Sequence, residues 1–132
     1  MSNISARRSL EQCRATHAWQ AVQAVPEANG KEFKSVAGSL PADIQANGLG
    51  QTMAFLQAKG EEEHKAAFNA VANWVKQRLN ITEQDFMKWL MTQATTDQYR
   101  QATSEAIMLA IWIKRFAESR FGDKQGANYG TQ

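Results

Sequence analysis

Residues 99–117 are the stretch that most constrains this chain. Tyr99, Ala102, Ala106, Leu109, Ala110, Ile113, Phe116 and Ala117 recur at helical spacing and form one apolar stripe. At about 100° per residue, Ile107, Met108 and Ile111 fall on other sides of the same helix. A helix that is apolar nearly all round must be covered nearly all round. It is either a central helix enclosed by its own neighbours, or one whose uncovered side docks a copy of itself or another subunit. Both cases demand several partner helices from the rest of the chain.

The rest of the sequence meets that demand. Ala, Gln, Glu, Lys and Leu, all good helix formers, dominate it, and no stretch alternates apolar and polar residues for long. The expected fold is all-α: a compact single-domain helical bundle of about six or seven helices, with the long C-terminal helix central.

A first helix over 5–25 carries Leu10, Cys13, His17, Ala21 and Ala24, broadened by Val22 and Val25, and ends at Pro26 and Asn29-Gly30. A short helix over 31–39 follows. Pro41 suits the first turn of another short helix, 41–46, where its missing N–H is not needed. Asn47-Gly48 closes that helix, with Gly48 left-handed. Leu49, Thr52, Met53 and Leu56 mark the inner face of the next helix, which stops at Gly60.

A fifth helix over 61–79 opens with three glutamates that complement the helix dipole, and buries Phe68, Val71, Ala72, Val75 and Leu79. Thr82 with Asp85 reads as a capping box opening a sixth helix with Phe86, Trp89 and Leu90; Thr95 with Gln98 reads as a second box, opening the last helix. The helical domain then spans 1–121, and 122–132, with three glycines, is expected to be a flexible tail.

Composition narrows the function classes. With 132 residues, 43% hydrophobic and 21% charged, the chain can bury a core without a metal or disulfide. Cys13 is alone, so no intramolecular disulfide forms, and a reducing, cytoplasmic setting is expected. The start of the chain lacks the apolar segment of a secretory leader, and the longest apolar run, Ala106 to Ile113, is too short to span a bilayer.

A net charge of +2 is too small to argue for nucleic acid by itself, so the placement of the cations decides. Lys65, Asn69, Asn73 and Lys76 share one flank of the fifth helix, a ribbon about 16 Å long on which no acid is expected. Such a row suits phosphate and ribose oxygens, and equally a solvated helix face. Arg7, Arg8 and Arg14 make the first helix basic, with Glu11 the one acid near them. Lys114 and Arg115 sit side by side on the last helix, Arg115 nearly opposite the core stripe, and Lys59 ends its own helix.

Catalytic patterns are weak. Glu61-x-x-His64 is half of a di-iron signature that needs two such motifs and two further glutamates. Cys13 and His17, one turn apart, read as a core pair without a third orienting group. Gly48-Leu49-Gly50 lacks the preceding strand and following lysine of a phosphate loop. Trp19, Trp74, Trp89 and Trp112 read as core or boundary residues. No catalytic residue, metal or cofactor is expected.

Several segments carry a family likeness in order along the chain. They are Glu11-Gln12-Cys13-Arg14-Ala15 on the arginine-rich first helix, Leu40-Pro41, Asn47-Gly48-Leu49-Gly50-Gln51-Thr52-Met53-Ala54-Phe55-Leu56, Lys59-Gly60, and Trp112-Ile113-Lys114-Arg115-Phe116-Ala117. In these the chain resembles the small helical subunit of the type III-B (Cmr, RAMP-module) CRISPR effector complex; residues 61–96 carry little of the likeness. The resemblance implies a non-catalytic subunit that stacks with further copies of itself into a short filament. That filament lies beside RAMP-type backbone subunits and helps hold the guide–target RNA duplex.

Under the resemblance, Arg14, Lys59, Lys114 and Arg115 are the expected RNA-backbone contacts, because they lie in the matching segments. Lys65 and Lys76 are added on the helical-face argument, and Ile107, Met108 and Ile111 form the expected subunit interface. With so few cations, RNA binding is expected to be weak alone and strong only in the assembly. The alternatives are a helical protein-interaction adaptor with no nucleic-acid role and the analogous subunit of a related CRISPR effector.

Overall fold

The computed structural model describes residues 8–122. Six α-helices follow one another, and the described residues contain no strand: α1 (Leu10–Gln23), α2 (Gly30–Asn47), α3 (Leu49–Lys59), α4 (Glu62–Arg78), α5 (Phe86–Lys88) and α6 (Thr96–Phe121). A 3₁₀ turn (Glu27–Asn29) precedes α2, and α5 widens into a π turn (Trp89–Gln93). The expected helical bundle with a central last helix is what is found: α6 packs against α1, α2, α3 and α4. At 26 residues it runs about 39 Å. The expected tail falls almost wholly on residues 123–132, outside the described residues, as do Arg7 and the first residues of the expected first helix.

Local chemistry explains most boundaries. Thr95 opens α6 through the expected capping box with Gln98. Ser9 and Gln12 form a second such box, so α1 starts at Leu10 rather than near residue 5. The expected Thr82–Asp85 box is replaced by a simpler cap: Asp85 accepts from the Lys88 N–H, and α5 begins at Phe86. Gly48 has a positive φ of 90°, but its ψ of 157° is extended rather than left-handed helical. That region is essentially closed to any side chain, so the sharp α2–α3 junction needs glycine.

Two helices differ from the sequence reading for tertiary reasons. The expected short helices 31–39 and 41–46 are one continuous helix, α2, with Pro41 inside it. Pro41 removes the N–H that would bond the Ala37 carbonyl, which normally breaks a helix. Leu40 and Ile44 flank it, each 1% exposed, and their burial holds the helix through the proline.

The second difference is rotational. The expected stripe of α1 is displaced by one position: Arg14, Ala18 and Val22 face inward, whereas Leu10 and Cys13 are exposed. Cys13 and His17 are therefore not a core pair. His17 Nε2 lies 3.1 Å from the Ala70 carbonyl, and its ring leans on Trp74.

The core agrees better elsewhere. Leu49, Thr52, Met53 and Leu56 are all buried, as are Phe86, Trp89 and Leu90. On α4, Val71, Ala72 and Val75 are buried with Phe68 and Leu79 packed at the edge, and Ala67, Ala70 and Trp74 widen the stripe. The top of α6 ties the bundle together. Arg120 Nη1 donates to the carbonyls of Val22 (2.6 Å) and Val25 (2.7 Å), satisfying groups that the end of α1 leaves open. Phe121 then lies against Gly30, where a Cβ would collide with its ring.

Candidate nucleic-acid interface

The expected contact residues occupy three helices and serve different local roles, apart from Lys59 at the end of a fourth. Arg14 is the clearest departure. Its residue is only 8% exposed, and its guanidinium grips Glu105 of α6, with Nε–Oε1 and Nη2–Oε2 both 3.0 Å. Trp74 Nε1 donates to the same carboxylate at 2.9 Å, and Arg78 Nε stands 3.4 Å away. Burial pushes the Glu105 carboxyl upward, but the hydrogen bonds from Arg14 and Trp74 and the charges of Arg14 and Arg78 outweigh it. The net pKa lies below the ordinary carboxylate value. Arg14 is correspondingly raised, first by its hydrogen bond to Glu105. Arg14 is thus part of the core and offers no surface for a phosphate.

The sequence reading does not single out Glu105, although its signal is present: an acid on the apolar stripe of one helix, and a basic residue among the small apolar residues of another. Glu11 links the same helices at the surface, accepting from Arg14 Nη1 (3.3 Å) and Trp112 Nε1 (2.9 Å).

The lysine ribbon on α4 is less free than expected. Lys65 Nζ is 3.6 Å from Glu62, one turn back, and Glu62 and Glu63 line the same α1–α4 groove as Lys65, Asn69 and Asn73. An acid does share that flank, because i,i+3 spacing brings Glu62 round to Lys65. Lys76 lies outside the groove and donates to the Gln84 carbonyl at 3.0 Å, pinning the loop before α5. Arg115 is exposed and 3.3 Å from Glu118.

Lys59 and Lys114 have no acidic partner among the described residues. Lys59 Nζ sits 5.8 Å from the centroid of the Phe55 ring. The six cations share no pocket and no common partner. The apolar trio on α6 also divides. Ile107 packs on the edge of the core, Met108 is half-buried beside Arg78 and Leu79, and Ile111 is 46% exposed.

Catalytic or metal chemistry finds little footing. Glu61 is an exposed N-cap, whereas His64 is buried edge-on to Phe55, so the two do not converge. Among the described residues no three His, Cys, Asp or Glu side chains gather to hold a metal ion. Burial pushes the His17 pKa down, partly offset by the hydrogen bond to the Ala70 carbonyl. No helix of the described residues is long and apolar enough to cross a membrane.

Fold and surface together define a small all-α bundle whose candidate contacts are spread over helix faces rather than gathered in one enclosed pocket. The chain belongs to the Cmr5 family: the family model described as CRISPR-associated protein (Cas_Cmr5) matches residues 10–120. A curated relative from Thermus thermophilus, described as CRISPR system Cmr subunit Cmr5, is 31% identical over 113 residues, covering 85% of this chain and 96% of the relative. The crystal structure of a CRISPR-associated Cmr5 family protein from Thermus thermophilus superposes with a TM-score of 0.67 at 29% identity, covering 85% of this chain and 97% of that one. The likeness read from the sequence segments is therefore the family found.

Proposed function

We propose that this chain is a non-catalytic small subunit of a type III-B Cmr effector complex, acting in the cytoplasm in antiviral defence. In this reading it stacks with further copies of itself beside RAMP-type backbone subunits and touches the guide–target RNA backbone. The observation that carries the reading is the family match over residues 10–120, nearly all of the described chain. Two surface features support it. Lys59 and Lys114, without acidic partners among the described residues, are available to phosphates together with exposed Arg115. Ile111, exposed between polar neighbours, suits a flat subunit contact with Ile107 and Met108 at its margin.

Lys65 and Lys76 contribute less, since each already has a partner, and Arg14 is left out because Glu105 holds it. So few phosphates neutralised give weak binding alone, and repetition along stacked copies multiplies it.

The test is affinity purification of the tagged chain from its native host at moderate salt. RAMP-type subunits and short guide RNAs sharing a 5′ end are expected to co-purify. The double substitution Lys114→Glu/Arg115→Glu should lower RNA retention, more so as salt rises, without loss of protein partners. Recovery of other partners with no RNA, or RNA retention indifferent to the charge reversal, overturns the reading.

A further inference from the structure

The turn between α2 and α3 leaves a notch that none of the roles above uses. Its volume is about 560 Å³, and it is lined by Asp43, Ala46 and Asn47 from α2 and by Gln51, Thr52 and Phe55 from α3. We propose that this notch binds one unstacked guanine base of single-stranded RNA. The inference rests on the reading of this chain as an RNA-contacting subunit, and names what it would recognise beyond the backbone.

Three observations carry it. Phe55 is 53% exposed, an unusual place for a large aromatic ring. His64 meets that ring edge-on, with the ring planes at 79° and the centroids 6.3 Å apart, which props the ring rather than stacking on it. An exposed, propped aromatic face is what an unstacked base needs.

Thr52 is the second. It is 4% exposed, and its hydroxyl has no hydrogen-bond partner among the described residues. A buried polar group left unpaired is costly and calls for an occupant that pairs it.

The third is the distribution of charge. Asp43 has no cationic partner among the described residues. Lys59 follows Phe55 by one turn, about 6 Å along the helix. A nucleotide entering phosphate-first meets the Asp43 carboxylate and is repelled. Entering base-first, it leaves its phosphate to Lys59.

The donor set selects the base. Guanine presents two parallel donors, N1–H and the N2 amino group, which one carboxylate accepts together. Asn47 and Gln51 carry amide donors for its remaining acceptors, N7 and O6. Adenine has no adjacent pair of N–H donors to offer Asp43.

The test uses the full-length isolated chain and records backbone amide resonances during titration with GMP, AMP and ribose 5-phosphate. GMP is expected to shift Asn47, Gln51, Thr52 and Lys59, with at least roughly tenfold tighter binding than AMP, the discrimination of one good bidentate pair. Phe55→Leu, at an exposed position, should abolish these shifts while the helical circular dichroism is retained. Asp43→Asn should erase the preference for GMP over AMP. Equal shifts from ribose 5-phosphate with no effect of Phe55→Leu would reduce the site to a phosphate contact and overturn the proposal. Absence of shifts with GMP, or equal binding of GMP and AMP, would overturn it as well. None of these outcomes depends on the assembly, so the pocket and the effector-subunit reading fail separately: loss of RAMP-type partners would sink the second and leave the nucleotide shifts intact.

Discussion

At the scale of single residues, the Glu105 carboxylate is where sequence, packing and charge meet. It sits between Ala102 and Ala106 on the buried stripe of α6 and receives donors from α1 and α4. Removing its charge strands Arg14 in the core, so Glu105→Gln is expected to lower unfolding free energy by about 3–5 kcal/mol in urea denaturation. The joint replacement Arg14→Met/Glu105→Leu should recover much of that loss, because an apolar pair avoids the desolvation both ions suffer.

The same group sets the response to acid. A carboxyl whose folded pKa is depressed contributes stability above its unfolded pKa and loses it as pH falls through the folded one. His17, lowered by burial, has the same sign in a higher window. Its contribution is complete above its ordinary value of 6.5 and declines as the unfolded chain takes up its proton. Melting temperature is therefore expected to fall in two stages on acidification. His17→Gln should remove the upper stage and leave the lower one.

At the scale of elements, the contrast between α6 and its neighbours shows what one dimension reveals. The stripe of α6 and its Thr95–Gln98 box were legible because both are local patterns of strong contrast. The register of α1 was not, because its apolar residues are mostly alanines with little to distinguish one face from another. What turns Arg14 inward is an acid 91 residues away. The continuity of α2 through Pro41 was likewise hidden, since the local signal says stop and only the burial of Leu40 and Ile44 says continue. Among the candidate contacts, sequence could name the cations but not their partners: Glu62 beside Lys65 was visible as spacing, Gln84 beneath Lys76 was not.

The join of α2 to α6 gives a test of this scale. Gly30 has ordinary helical dihedrals, so only the approach of the Phe121 ring requires glycine there. Gly30→Ala is expected to cost about 1–3 kcal/mol by overpacking. Phe121→Ala in the same chain should relieve the clash, which a double-mutant cycle in thermal unfolding would register as strong coupling.

At the scale of the whole molecule, α6 gives the bundle its unity. It packs on α1, α2, α3 and α4, and carries Glu105 for the buried ion pair and Arg120 for the end of α1. A chain truncated before Thr96 is expected to lack cooperative unfolding and to be cleaved rapidly by a nonspecific protease, because Ala18, Val22, Phe33 and Val71 would lose a shared wall. A resistant, cooperatively melting fragment would show that α1–α5 form a core of their own. The order of synthesis adds a further consequence. Of the described helices, α6 leaves the ribosome last, so its partners emerge with their apolar faces bare and a lone arginine waiting for its acid. Folding of this bundle is thus gated by translation, and release of the final helix is the event that closes it.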